Sequence, residues 1–222
     1  MYSYRSFIRD TFESFKCMRR HDLLLCIPIY DDKGLLAGYL RPVTRDYRQS
    51  LPGCAEQLAA WRNENPSLSA EPFAATAEST ERWLDEIIGR EDRLLFYILL
   101  PDGRRAGHIG YSSFEYEAGR CEVDAVLRGD GDTPPGIMTF ALNALIRWGL
   151  GSLRLKNIEL RVFSDNAHAI RYYSRNFFVV AEENLPVSPT SPKRYTRMRL
   201  DCGAWRERER TRAAEAAGRA PV

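Results

Sequence analysis

The sequence predicts an α/β (α+β) domain on a mixed, mostly antiparallel sheet, and three stretches carry that prediction. Residues 94–100, 106–116 and 120–127 are strand-like runs, the first two separated by the turn Pro101-Asp102-Gly103-Arg104, and together they read as an antiparallel meander. Ile137, Phe140, Ala141, Ala144, Leu145 and Trp148 then keep helical spacing with Thr139, Asn143 and Arg147 opposite, so this helix should lie on the sheet. Residues 158–181 follow as strand (158–163), short helix (167–175) and strand (177–181), and 194–202 supplies a last strand.

The earlier elements read in order. Residues 4–20 suit a short helix, and the apolar run 23–30 (LLLCIPIY) ends in the turn Asp31-Asp32-Lys33-Gly34, from which 35–43 returns as a second strand. Residues 54–63 have helical spacing with Leu58 and Trp61 on one side, closed by Asn65-Pro66. Thr76 or Ser79 caps a further helix that Gly89 stops. The proline-rich stretch 186–192 should be an exposed loop, and beyond Trp205 the alternating charges and alanines suit a solvated or frayed helix.

At 222 residues the chain has room for one full domain with extensions. The expected division is an N-terminal extension (1–36), a main domain (37–203) and a charged, flexible tail (204–222). No apolar run approaches the ~18–20 residues of a membrane span, and the first twenty residues do not read as a secretory signal, so a soluble cytoplasmic protein is expected. Five cysteines without a CxxC pair and three scattered histidines give neither a disulfide framework nor metal-ligand spacing. Thirty-two basic residues against thirty acidic ones leave a net charge of +2, which argues against a dedicated nucleic-acid binder.

Two segments carry chemistry. Residues 126–138 run from a strand through a glycine-containing turn into a helix N-terminus, where unpaired N–H groups and the helix dipole can hold a phosphate; the same residues read equally as a polar surface turn. The second segment is ELRVFSDNAHAIRYYSRNFFVV, residues 159–180. It resembles the last motif of the GNAT superfamily, in which a strand is followed by asparagine, then a helix with Ala-Ile-Arg-x-Tyr, then an aromatic residue opening the next strand; Asn166, Ala169, Ile170, Arg171, Tyr173 and Phe178 stand at those places. The resemblance covers residues 40–201, with LRPVT (40–44) and AWRNENP (60–66) similar to the family's first strand and helix. Two departures are visible. Phe177 stands where the family usually has glycine, and residues 122–138 depart from the usual Arg/Gln-x-x-Gly-x-Gly/Ala loop, ending in Pro134-Pro135-Gly136.

What the resemblance implies is a GNAT fold with a splayed strand pair and helices on both faces, and an N-acetyltransferase that moves an acetyl group from acetyl-CoA to a primary amine. The loop and the Trp61-Arg62-Asn63 helix look like the branch acting on nucleotide-linked amino sugars; a peptide N-terminus or another small-molecule amine is the alternative, as is a protein that binds acyl-CoA without catalysis. The partner is a small-molecule amine, with no nucleic acid or membrane, and the chain a monomer or homodimer. By resemblance the backbone N–H of Val126 or Leu127 receives the thioester oxygen, and Tyr173 protonates the departing thiolate. Proline lacks an N–H, so the pyrophosphate would rely on amides of residues 129–133 (Gly129, Gly131, Thr133) and of Gly136, Ile137 and Met138. Asn166 suits the pantetheine arm and equally an N-cap, Ile170 completes the motif, and Arg171 with Arg175 suits the CoA phosphates. Tyr172 should point elsewhere.

Period-two alternation sets Glu122, Asp124 and Val126 on one face of a strand, which makes Glu122 the first candidate for the base and Asp124 the second. Glu115, Glu117 and His108 are lesser candidates, His108 reading more naturally as structural. Arg62 and Asn63 are candidates to face the acceptor.

Overall fold

Apolar alternation and turn chemistry build one eight-stranded sheet in the computed structural model, which describes residues 3–17, 25–69, 74–129 and 131–218. The strands are β1 (Ile27–Tyr30), β2 (Leu36–Pro42), β3 (Leu94–Leu99), β4 (Arg105–Glu115), β5 (Arg120–Arg128), β6 (Asn157–Phe163), β7 (Phe178–Pro186) and β8 (Arg194–Leu200). Their order is β1-β2-β3-β4-β5-β6-β8-β7, antiparallel throughout except for β5 and β6. The meander is therefore β3-β4-β5, and β5 reaches its parallel neighbour β6 through a crossover helix.

Helices cover both faces. β3 shows why: Leu94, Phe96 and Ile98 point into one apolar cluster, Leu95 and Tyr97 into the other. The first cluster is closed by α1 (Tyr4–Lys16) and α5 (Ile137–Gly151), the second by α3 (Cys54–Glu64) and α4 (Ala77–Gly89). Each fully buried Leu or Phe contributes about 1.5–3 kcal/mol, so the two-sided burial of β3 fixes its register. Thr76 caps α4, with Ser79 as its partner in a capping box. A single turn, α2 (Tyr47–Ser50), and a 3-10 turn (Pro66–Leu68) link the elements around α3.

Several expected bounds shift. α1 ends at Lys16, with residues 18–20 outside the described residues, as are positions 23 and 24 of the first strand run. β7 extends to Pro186 because its ladder with β8 persists to the pair Pro186/Arg194, so the exposed loop is shorter than the prolines suggest. α6 spans Ala167–Arg175, and the charged segment after β8 forms α7 (Cys202–Gly218), which lies against α5. Trp205 is buried and its Nε1 donates to Asn143 Oδ1 at 3.0 Å, while Asn143 Nδ2 donates to the Thr139 carbonyl. Arg147 pairs with Glu209, and Arg212 donates to the Asp31 carbonyl at 2.6 Å. One aromatic anchor and these charge-assisted bonds dock a helix whose composition alone has little to bury.

Candidate functional site

β5 and β6 are hydrogen-bonded only at their start, from Arg120/Asn157 to Glu122/Glu159. Beyond that they diverge, β5 to Arg128 and β6 to Phe163, and a cleft opens between them. Two cavities occupy it. One, of about 510 Å³, lies between the end of β5, the start of α5 and α6; the other, of about 330 Å³, lies toward α3, α4 and β8. They share five wall residues: Val126, Leu127, Asn166, Ala169 and Tyr173. Anything passed from one cavity to the other crosses that wall.

The wall is shaped by a β-bulge. His108 is opposite Leu127 and Gly110 opposite Asp124, so Ala125 and Val126 together face the single residue Ile109, and Ala125 takes the left-handed φ of 50°. The alternation expected for Glu122, Asp124 and Val126 is therefore corrected. Ala125 and Leu127 pack in the α3–α4 cluster and Val126 against the α1–α5 cluster, so the extra residue turns Val126 away from the face that carries the carboxylates. Ala125 and Val126 have no register partner in either neighbouring strand, and Val126 lines both cavities.

At the start of α5, Gly136 adopts φ 83° and Ile137 opens the helix; Gly136, Ile137, Met138 and Thr139 line the larger cavity. The Ile137 N–H is spent on the Pro134 carbonyl at 3.3 Å, leaving those of Met138 and Thr139 at the helix N-terminus. The glycine turn before it lies elsewhere. Arg128 folds over it, its Nε donating to Thr133 Oγ1 at 2.8 Å and its Nη2 to the Gly131 carbonyl at 3.2 Å. Gly129 lies flat on Trp61, where a Cβ would come within 2.4 Å of the ring, and Thr133 lines a separate cavity beside Gly53 and Arg105. The candidate phosphate residues thus divide: Gly136 to Met138 are in the cleft, and Gly129, Gly131 and Thr133 are outside it, with Arg128 in their place.

On α6, Asn166 Oδ1 accepts from the Ala169 N–H at 3.0 Å, an N-cap, and it also lines both cavities. Tyr173 is buried with its ring against Phe178, and burial, then the charges of Tyr172 and Asp124, hold its hydroxyl pKa well above the ordinary tyrosine value. Tyr172 does not point elsewhere. It lines the larger cavity beside Tyr173, with its hydroxyl buried near Thr139 and unpaired, because consecutive residues on a helix this short both meet a cleft that wraps its end. Ile170 packs against the core and Arg171 is exposed; neither lines either cavity of the cleft. Phe177, in the glycine position, takes φ 67°, and the Arg208 guanidinium of α7 covers its ring at 5.5 Å.

The smaller cavity holds the remaining candidates. Asp124 lines it and pairs with Arg93; Glu122 does not, its carboxylate being held by Arg161 at 2.9 Å. Glu115 is engaged by Arg120. Asn63 pins the backbone of Ala75 through both its amide atoms, while Arg62 lies over Trp83 at 4.9 Å on the cavity wall. Residues not foreseen complete the wall: Trp83, Arg93, Arg161, Phe163 and Tyr195. Phe163 and Tyr195 face each other across β6 and β8 with rings stacked at 4.9 Å, and Arg161 lies over Tyr195. Alternation along β6 from Glu159 puts Arg161 and Phe163 on one face, a signal available in the sequence.

His108 is buried between these groups. Its Nδ1 lies 2.6 Å from the Ala125 carbonyl and its Nε2 has no hydrogen-bond partner. Burial, against the pull of the Ala125 carbonyl, lowers its pKa to about 4, with Arg62 lowering and Asp124 raising it. The unfolded chain therefore binds a proton first as pH falls below ~6.5, and this contribution to stability, complete above that value, is lost as pH falls toward 4. Urea unfolding at pH 7 and pH 5 is expected to show a loss of about 2 kcal/mol that a His108→Gln variant lacks.

Among the described residues no cluster of three His, Cys, Asp or Glu side chains could hold a metal ion, and no helix is long and apolar enough to cross a membrane. The family model for the acetyltransferase (GNAT) domain matches residues 39–179. No curated relative matches the chain. Among solved structures, a GCN5-related N-acetyltransferase from Brucella melitensis is similar at TM-score 0.67 and 16% identity, covering 86% of each chain. Apo FdhC, a nucleotide-linked sugar GNAT, is similar at 0.64 and 14%, covering 84% of this chain and 96% of that one. The spermidine/spermine N-acetyltransferase SpeG from Vibrio cholerae is similar at 0.59 and 15%, over 80% and 99%. The splayed sheet, the helix N-terminus at its opening and the matched segment have one meaning: the chain belongs to the GNAT acetyltransferase family.

Proposed function

We propose that the chain transfers the acetyl group of acetyl-CoA to the primary amine of a nucleotide-linked amino sugar, with the donor in the larger cavity and the acceptor in the smaller. The observation that carries the acceptor class is the wall of the smaller cavity. Arg62, Arg93 and Arg161 stand there beside the ring faces of Trp83, Phe163 and Tyr195; Asp124 pairs with Arg93 and Glu122 holds Arg161 from outside the cavity, so the guanidiniums still outnumber the carboxylates. Guanidiniums suit phosphate and aromatic faces suit a base or sugar ring, whereas a polyamine would meet like charge. The fold similarity to FdhC accords with this, and the reading places the chain in the cytoplasm.

Acetyl-CoA supplies the acyl carbon as a thioester. The backbone N–H of Val126, a residue the bulge leaves without a register partner at the wall of both cavities, is the donor best placed to polarise its carbonyl, since Leu127 is paired with His108. Met138 and Thr139 present free amides to phosphate at the positive end of α5, with Arg128 adding charge. Asp124 takes the proton of the attacking amine, and Tyr173 gives its own to the thiolate. Free-thiol release from acetyl-CoA, measured against nucleotide-linked amino sugars, an N-terminal peptide and spermidine, tests the reading. Turnover is expected with the sugars, at least ~10-fold above the other amines; turnover confined to the peptide or to spermidine would refute the sugar assignment.

A further inference from the structure

Buried polar atoms are nearly always paired, because leaving one unpaired costs about 1–3 kcal/mol. His108 Nε2 is such an exception, in a ring that is 4% exposed and belongs to the wall of the smaller cavity. Its ring is not free to present either nitrogen. The Ala125 carbonyl, only 2.6 Å from Nδ1, can only accept, so Nδ1 carries the hydrogen and Nε2 is left as a lone pair. That carbonyl is aimed at the ring by the bulge, at a non-glycine residue held at φ 50°. The same bulge leaves Val126 without a register partner. One distortion thus sets both a candidate thioester donor and the tautomer of a buried imidazole.

On the sheet, Asp124 is opposite Gly110, and His108 lies two residues along the same strand on the same face, making His108 and Asp124 diagonal neighbours. Both residues line one cavity, beside the wall shared with the donor cavity, the Asp124 carboxylate partly exposed there and Nε2 covered by its neighbours. The geometry points to His108 as a further residue of the acceptor site, whose Nε2 is uncovered as the acceptor amine seats and accepts one of its N–H groups while Asp124 accepts the other. A neutral amine held by its two N–H bonds has its lone pair left for the thioester carbonyl. Nitrogen then bonds to the acyl carbon, its proton passes to the Asp124 side, the carbon–sulfur bond breaks, and Tyr173 protonates the sulfur. His108 stays neutral throughout and positions the nitrogen. An alcohol, with a single O–H, cannot satisfy both acceptors, which accounts for a preference for amines.

This inference rests on the proposed division into donor and acceptor cavities, and not on which amine is the substrate. The test uses the amine from the panel above that turns over fastest, with the wild type, His108→Leu and His108→Gln. His108→Leu is expected to reduce kcat/KM for the amine about 10- to 100-fold with KM for acetyl-CoA within about twofold, and His108→Gln, whose side-chain oxygen can accept, to recover part of it. In 15N spectra of the histidine rings, the resonance lost in His108→Gln should report an Nδ1–H tautomer and should move at Nε2 when the amine is added to the Tyr173→Phe protein. An Nε2 resonance that stays fixed while the amine binds, or a His108→Leu enzyme with wild-type kinetics, would overturn the proposal. A panel in which the peptide or spermidine wins would remove the sugar assignment and leave this test intact with that amine.

Discussion

Tyr173→Phe is expected to lower kcat about 100-fold or more while leaving the affinity for acetyl-CoA within about twofold. The substitution removes one oxygen from a ring that is otherwise held by packing against Phe178, so the fold is retained. What is lost is the hydroxyl proposed to protonate the thiolate, on a residue of the wall shared by the two cavities. The hydroxyl is held in its protonated form by burial and by the nearby charge of Asp124, the state an acid needs before the thiolate leaves. Tyr172→Phe provides the comparison: its hydroxyl is buried without a partner, and removing it should leave turnover unchanged and stability equal or slightly higher. Stopped-flow measurement of thiol release separates the two.

The second large effect concerns stability. Trp61→Ala is expected to destabilise the protein by about 3–5 kcal/mol in urea unfolding, since a fully buried indole is replaced by a cavity. Trp61 packs edge-on to Tyr97 and near-parallel to His108, and Gly129 rests on its ring. The loss should therefore reach the site: the turn after β5 loses its seat, and KM for acetyl-CoA should rise along with the fall in stability. Trp61→Phe, which keeps part of the volume, should lose much less of both.

How much of this was legible in the sequence depends on whether a local rule governs the residue. The strands of the meander, the caps at Thr76 and Asn166 and the amphipathic α5 obey local rules and stand within a few residues of where periodicity puts them. The motif around α6 places Asn166 and Tyr173 at the cleft. The alternation expected along β5 holds from Glu122 to Asp124 and breaks at Val126. A bulge adds one residue without marking the sequence, since Ala125 is neither glycine nor asparagine, and it separates Val126 from the carboxylates; Glu122 lies before it, where β5 is still paired with β6 and Arg161 holds the carboxylate, while Asp124 lines the cavity. The glycine turn was misleading for a related reason: glycines at 129 and 131 suggest an amide nest, but Gly129 is required by the close approach of Trp61. Trp83, Phe163 and Tyr195 meet only in three dimensions, from α4, β6 and β8. The docking of α7 likewise depends on one tryptophan and on arginines that read as solvent-facing.

The central claim is that acetyl-CoA lies in the cleft between β5 and β6, and backbone amide hydrogen exchange with and without saturating acetyl-CoA tests it most directly. Slowed exchange is predicted at Val126, at Met138 and Thr139, and along the start of α6 from Asn166, with β1 and β7 unchanged. Binding accompanied by protection around Gly53, Gln57 and Arg105 instead, with Val126 and Met138 unaffected, would contradict it.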